Sequence, residues 1–184
     1  MLPMSQGGSR PSIQDDAPSN APSTRFFEDV EPEKRSTADP WLSAEQQHIW
    51  RAWLRGSARI TGYLSKDLRR HDLELCEYEI LVTLSEAPGY AVRMSMLATE
   101  VHQSRSRLTH AIERLESRGL VVREPDVRDR RGVVARLNSE GMDLLRQAAP
   151  DYVRALRRIF VDPVDPEDFA ALGRAMKAVL SVSD

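Results

Sequence analysis

Apolar residues recur along this chain at helical spacing in several long stretches and at strand density in two short ones. Ser43 followed by Gln46 has the pattern of a capping box. Ile49, Trp50, Trp53, Leu54, Ile60, Leu64 and Leu68 then keep one apolar face to about Arg70, which predicts a long first helix. Tyr78, Ile80, Leu81 and Leu84 predict a second helix, stopped at Ala87-Pro88-Gly89, where proline and glycine end a helix and open a turn. Ala91-Val92-Arg93 has room only for a very short strand. Residues 94–101 predict a short helix, His102-Gln103 a tight turn, and residues 104–118 a longer helix closed by Gly119 as a left-handed C-cap.

Two β-branched runs follow, Leu120-Val121-Val122-Arg123 and Val133-Val134-Ala135-Arg136-Leu137, separated by a polar segment that ends in Gly132, the pattern of a hairpin. Asn138 can cap a further helix carrying Met142, Leu144, Leu145, Ala148, Tyr152, Val153, Leu156, Ile159 and Phe160, with Pro150 as a kink point. Asp165-Pro166-Glu167-Asp168 supplies an N-cap, a first-turn proline and acids near the positive end of the dipole. It opens a last helix striped by Phe169, Leu172, Met176, Val179 and Leu180.

A short strand, two helices joined by a tight turn and a hairpin make a winged helix. The fold class predicted is therefore mainly α with a small β-hairpin wing: a winged helix-turn-helix over about 73–137, flanked by helices at about 43–71 and 139–182. The apolar faces of those flanking helices need a partner, either one another or a second subunit. Residues 1–38, with Pro3, Pro11, Pro18, Pro22 and Pro32 and only Phe26-Phe27 as an apolar anchor, are expected to form a disordered tail. Its charge to Thr37, net -2, does not suit a DNA-binding arm. It reads as a dispensable leader, or as a partner-binding segment at Phe26-Phe27. Residues 39–184 are expected to form a single domain.

Charge changes the picture most. The chain of 184 residues has net charge -2, yet between Val101 and Arg136 nine arginines face five acids, giving net +4. Positive charge concentrated on a helix-turn-helix and its hairpin is the footprint of phosphate neutralisation. On the second helix of the motif, Leu108, Ala111, Ile112 and Leu115 form the face to be buried, which turns Ser104, Ser106, Arg107 and His110 outward. Arg107 suits a base edge, because a guanidinium can pair bidentately with guanine, while Ser104, Ser106 and Thr109 suit phosphate or the helix's own amides. Arg130 and Arg131, at the hairpin tip, suit phosphate and the minor groove, where the narrow groove's negative potential draws arginine. Arg114 and Arg118 either touch DNA or pair with acids such as Glu113 and Glu116 at helical spacing, and Arg105 is similarly placed. The alternatives are a solvated charged rim and a winged helix that binds protein rather than DNA.

Other chemistry finds little support. The sequence shows no phosphate loop, zinc-protease histidine pair or nucleophile motif, so no catalytic residues, cofactor or metal is expected. His71, Cys76 and Glu77 come nearest to a zinc set, with ordinary structural polar contacts as the alternative. Cys76, the single cysteine, lacks a resolving partner for a role as oxidant sensor. No run approaches the ~18 apolar residues of a membrane helix, and the first residues lack the basic-then-apolar signal pattern, so a cytoplasmic protein is expected.

Met96-Leu97-Ala98, Ser104 with Ser106-Arg107-Leu108-Thr109, Arg114-Leu115-Glu116-Ser117-Arg118-Gly119-Leu120-Val121, Asp129-Arg130-Arg131-Gly132, Leu137-Asn138 and Gly141 occur in this order. From about Trp41 to Ser181, the chain so resembles the MarR family of bacterial transcriptional regulators. The resemblance implies a homodimer whose terminal helices interlock while two winged helices enter successive major grooves of a palindromic operator, most often as a repressor. It also implies that Asp129 orients Arg131 into the minor groove. A small aromatic or phenolic effector is implied in a crevice for which Trp50, Trp53, Tyr63 and His71 are the candidates, with plain core packing as their alternative. The chain departs from the family pattern at His102 and Gln103, where glycine and leucine are usual, and at Asn138, where threonine is common. Histidine accepts a positive φ better than a branched residue, so the turn is expected to survive.

Overall fold

The computed structural model describes residues 40–126, 129 and 132–182. The chain forms two units, Met1–Ser43 and Ala44–Asp184. The expected disordered tail lies outside the described residues, as do Arg130 and Arg131.

The second unit is mainly helical with one small sheet, the fold class expected from the hydrophobic pattern. In chain order it comprises α1 (Ala44–Leu68), a 3-10 turn (Arg69–His71), α2 (Leu75–Glu86), β1 (Ala91–Arg93), α3 (Met94–Glu100), α4 (Arg105–Ser117), β2 (Val121–Pro125), β3 (Val133–Leu137), α5 (Ser139–Leu156) and α6 (Pro166–Leu180). Caps set the boundaries. Ser104 Oγ accepts from the Arg107 amide, Asn138 Oδ1 from Gly141 and Asp165 Oδ1 from Glu167, each taking up an amide that the first helical turn leaves unpaired. Gly119 takes φ +68° after α4, and His102 takes φ +49° at the turn between α3 and α4. The Gln103 amide donates to Ala98 O and the His102 amide to Thr99 O, so the turn closes with histidine in the usual glycine position.

The sheet is antiparallel, in the order β1-β3-β2. The short strand pairs with the outgoing wing strand, Ala91 opposite Arg136 and Arg93 opposite Val134, while Val121 lies opposite Leu137 across the hairpin. One sheet face, with Val121, Ala135 and Leu137, is buried on Ile80, Leu81, Leu84, Leu97, Leu108, Ile112 and Leu115, which makes a single core beneath α4. Tyr78 and Tyr152 stack at 4.3 Å between ring centroids and tie α2 to α5. α5 runs unbroken through Pro150, and the irregularity falls later, in a π-helical turn over Arg157–Val161.

The outer helices are incompletely covered. On α1 only Leu64 and Leu68 are buried, and α6 buries none of its residues. Ile49, Trp50, Trp53 and Leu54 on α1, and Phe169, Val179 and Leu180 on α6, remain exposed apolar surface.

Candidate nucleic-acid interface

The buried residues of α4, Leu108, Ala111, Ile112 and Leu115, fix the rotation of the helix. At about 100° per residue, Ser106 and His110 then stand opposite the core, Arg105 and Thr109 on one flank, and Arg107 and Arg114 on the other. Ser104, Arg105, Ser106, Arg107 and His110 are exposed, and Thr109 is half-buried. The Thr109 hydroxyl donates to Arg105 O at 2.8 Å, so its hydrogen is held by the helix, while His110 Nδ1 lies 3.3 Å from Glu113 Oε2.

A groove of about 410 Å³ separates α4 from the wing, lined by Ser95 at the start of α3, Arg105, Thr109, Arg93, Asp129 and Gly132 among others. It is concave, open and edged by Arg105 and a hydroxyl, a shape and chemistry suited to a phosphate backbone. Arg93 and Ser95 are the residues that sequence reasoning passed over. No local pattern marks them, and the only signal is the pairing of β1 with β3, which carries Arg93 to the base of the wing.

The arginines divide into two groups. Arg114 turns toward α2, its Nε donating to Glu77 Oε1 at 2.9 Å and its Nη2 to Glu74 Oε2 at 2.8 Å. Its partners are therefore neither Glu113 nor Glu116, the acids of its own helix named from the sequence. Glu77 is only 3% exposed and also accepts the Glu74 amide, so this pair seals the joint between α2 and α4. Arg118 donates to Asp72 O at 2.6 Å, Arg123 to Glu116 Oε2 at 2.8 Å, and Arg136 to Glu124 Oε2 at 3.0 Å and Gly89 O at 2.7 Å. Among the described residues, Arg105 and Arg107 form no ion pair, which leaves their charge available to a ligand.

At the wing base, Arg93 Nε donates to Asp126 Oδ2, and its Nη2 lies 3.5 Å from Asp129 Oδ2. The partner implied for Asp129, Arg131, lies outside the described residues, and Arg93 is a partner the sequence did not reveal.

The candidate effector residues do not gather. Trp50 and Tyr63 lie thirteen residues apart on one straight helix, about 20 Å at 1.5 Å per residue, and His71 lies further on. Trp50 and Trp53 thus lie apart from Tyr63 and His71, which both approach Asp151. Trp50 and Trp53 are 52% and 41% exposed, which also excludes plain core packing within the chain. Tyr63 lines a cleft of about 400 Å³ with Asp67, Arg70, Asp151, Arg154 and Arg158, while His71 Nε2 lies 2.9 Å from Asp151 Oδ2. The zinc set is likewise dispersed: His71 pairs with Asp151, and Cys76 Sγ donates to Glu74 Oε2 at 3.6 Å. Burial, then the Glu74 and Glu77 carboxylates, push the Cys76 thiol up, which suppresses the thiolate an oxidant sensor needs.

A polar helix crown, a basic groove and a wing on one face are the features by which a winged helix engages duplex DNA, and comparison with known proteins agrees. The sequence profile of the MarR family matches residues 71–132. The regulator PecS of Dickeya dadantii is 31% identical over 148 residues, covering 77% of this chain and 88% of PecS. The chain belongs to the MarR family.

Two solved MarR-family regulators from Streptomyces coelicolor superpose with a TM-score of 0.73. AbsC is 43% identical, covering 77% of this chain and 96% of AbsC. Sco3205, solved in complex with DNA, is 38% identical, covering 76% of this chain and 92% of Sco3205. This MarR protein is a DNA-binding transcriptional regulator, and a winged helix devoted to protein contacts is not favoured. Among the described residues, no helix is long and apolar enough to cross a membrane.

Proposed function

We propose that this MarR protein is a homodimeric repressor that reads a palindromic operator in duplex DNA, with one winged helix for each half-site. The observation that carries the reading is the partition of arginines. Arg114, Arg118, Arg123 and Arg136 are held by internal acceptors, whereas Arg105, at the groove of the wing, and Arg107, on the other flank of α4, stand exposed. In this reading Arg107 contacts a base edge with Ser106 and His110 beside it, and Ser104, Arg105 and Thr109 hold the backbone. Arg130 and Arg131 reach the minor groove, with Asp129 as an orienting acid. Arg114 serves the reading head as a structural residue.

Dimerisation rests on the exposed apolar positions of α1 and α6, which have the character of an interface. A small aromatic or phenolic effector would relieve repression only by binding the DNA-incompetent dimer more tightly. Within one chain, Tyr63 and His71 border the Asp151 cleft, and Trp50 and Trp53 lie further along α1. The protein works by binding, without catalysis, and a cytoplasmic location accords with a chromosomal target.

Selection from a random duplex library followed by titration at several salt concentrations tests the proposal. The expected outcome is a palindromic consensus, affinity falling steeply with salt, and relaxed preference at particular bases in Arg107→Ala. Salt-insensitive binding without a consensus would overturn it.

A further inference from the structure

We propose that Arg93, on β1, is a positioning residue for the wing: it clamps the β2–β3 loop to the reading head and sets the direction in which that loop meets DNA. The inference deepens the operator-binding reading and rests on it. Arg93 sits opposite Val134, one residue from the start of β3, and so at the rung of the β1–β3 pairing nearest the loop. Its guanidinium holds two carboxylates at once, Asp126 through Nε and Asp129 through Nη2. Asp126 is 9% exposed and, with Glu77, one of two buried charged residues among the described residues. A buried carboxylate so placed is costly unless paired, which makes the clamp directional.

The backbone closes around the same point. The Asp126 amide donates to Gly132 O at 2.9 Å and the Gly132 amide to Asp129 O at 2.7 Å. Gly132 is packed so closely that a Cβ there would lie 3.2 Å from both Asp126 Cβ and Asp129 O, and 3.6 Å from Arg93 Cζ. The loop base is thus a small closed ring, and Arg93 links it to β1. A change in the direction of this base carries over to whatever the loop presents to DNA, where a shift of an ångström or two is enough to lose a hydrogen bond. Arg93 also offsets the charge of Asp129 in the groove that would receive phosphate.

The full-length protein provides the test, as Arg93→Gln, Arg93→Lys and Asp126→Asn, alone and with Arg93→Gln added to Asp126→Asn. Amide hydrogen exchange at Asp126 and Gly132 is read by NMR without DNA, and affinity for the selected operator and for a scrambled duplex is read at several salt concentrations. The expected result for Arg93→Gln is exchange at both amides faster by about 10-fold or more, with the α4 amides unchanged. Operator affinity falls by roughly 10- to 100-fold, scrambled affinity much less, with the salt slope retained and a smaller effect in Asp126→Asn. Arg93→Lys, which keeps the charge but not the fork, shows the same exchange signature and covers the case in which Arg93→Gln fails to fold. Unchanged exchange at Asp126 and Gly132 overturns the clamp. A salt slope lowered by about 0.9, with equal losses on both duplexes and in both backgrounds, overturns it in favour of a direct phosphate contact. If the wild-type protein selects no operator, it is the DNA reading that fails, and the exchange data still decide the clamp.

Discussion

Replacing Arg114 by methionine separates a structural arginine from a reading one. The substitution keeps the aliphatic stem and removes the guanidinium that holds Glu77 Oε1 at 2.9 Å and Glu74 Oε2 at 2.8 Å. Glu74 is exposed and loses little. Glu77, at 3% exposure, is left a buried carboxylate without its main counter-charge. Removing one member of a fully buried pair costs about 3–5 kcal/mol. Here the loss is smaller, because the Arg114 side chain is 47% exposed, so water screens the pair, and because the Glu74 amide and Arg118, 4.0 Å away, still face Glu77. About 2 kcal/mol remains, or roughly 4–8 °C in Tm for a domain of this size. Calorimetry must be run at fixed protomer concentration, since the stability of a dimer depends on it. In a Glu77→Gln background the same substitution should cost less than about 1 kcal/mol. Operator affinity, measured well below the transition, should stay within about 3-fold of wild type with an unchanged salt slope. An unchanged Tm with a salt slope reduced by about 0.9 would refute the reasoning and return Arg114 to the DNA surface.

Three further outcomes are expected. Gly141→Ala should destabilise by about 3 kcal/mol or more in urea titration, because its Cβ would overlap the Leu120 carbonyl oxygen, a backbone atom that cannot withdraw cheaply, and would lie 2.5 Å from Leu137 Cδ1; a loss below about 1 kcal/mol would show that the α5 start can shift. Trp53→Glu should place a charge on the exposed apolar stretch of α1 and lower the molar mass seen in light scattering from dimer to monomer, whereas an undiminished dimer would put the interface elsewhere. The Asp151 carboxylate is held below its ordinary value of 3.8, first by the hydrogen bond from His71 and then by Arg154. Its stabilisation is therefore complete above that value and lost as pH falls through the lower folded-state value, so Asp151→Asn should be less stable than wild type at neutral pH, with the gap closing in urea midpoints measured toward pH 3.

The elements of this fold were legible because each is signalled locally. Ser104, Asn138 and Asp165 cap the helices that their positions predict, and Gly119 and His102 take the left-handed conformations that end α4 and α3. What stayed hidden depends on contacts between distant residues. Arg114 meets Glu74 across 40 residues, Arg118 meets Asp72 across 46 and Arg93 meets Asp126 across 33. Glu113 and Glu116, one residue before Arg114 and two after it, do not face it on the helix, and the packing of α4 on α2 brings the buried Glu77 carboxylate to it instead. The aromatic residues of α1 are spread along the helix for a simpler reason. Periodicity assigns residues to a face of a helix and says nothing of how far apart they lie along it.

The same long-range pairing limits how strongly this protein can hold DNA without regard to sequence. Nine arginines between Val101 and Arg136 in each of two subunits would, if all met phosphate, give a salt slope near -16 at about 0.9 per contact. Four of the nine have internal acceptors, which leaves at most five per head. The arginine contribution to the slope of the dimer should therefore be no steeper than about -9. The chain's overall charge of -2 adds no general attraction to offset this. Binding then depends on the few exposed arginines being correctly aimed, so a misdirected wing or a lost base contact is felt at the operator more than on scrambled DNA. Titration of operator and scrambled duplex across salt measures both quantities. A slope near -16 on either duplex would mean that the internal ion pairs open on binding, and that the structural and reading arginines are not distinct groups.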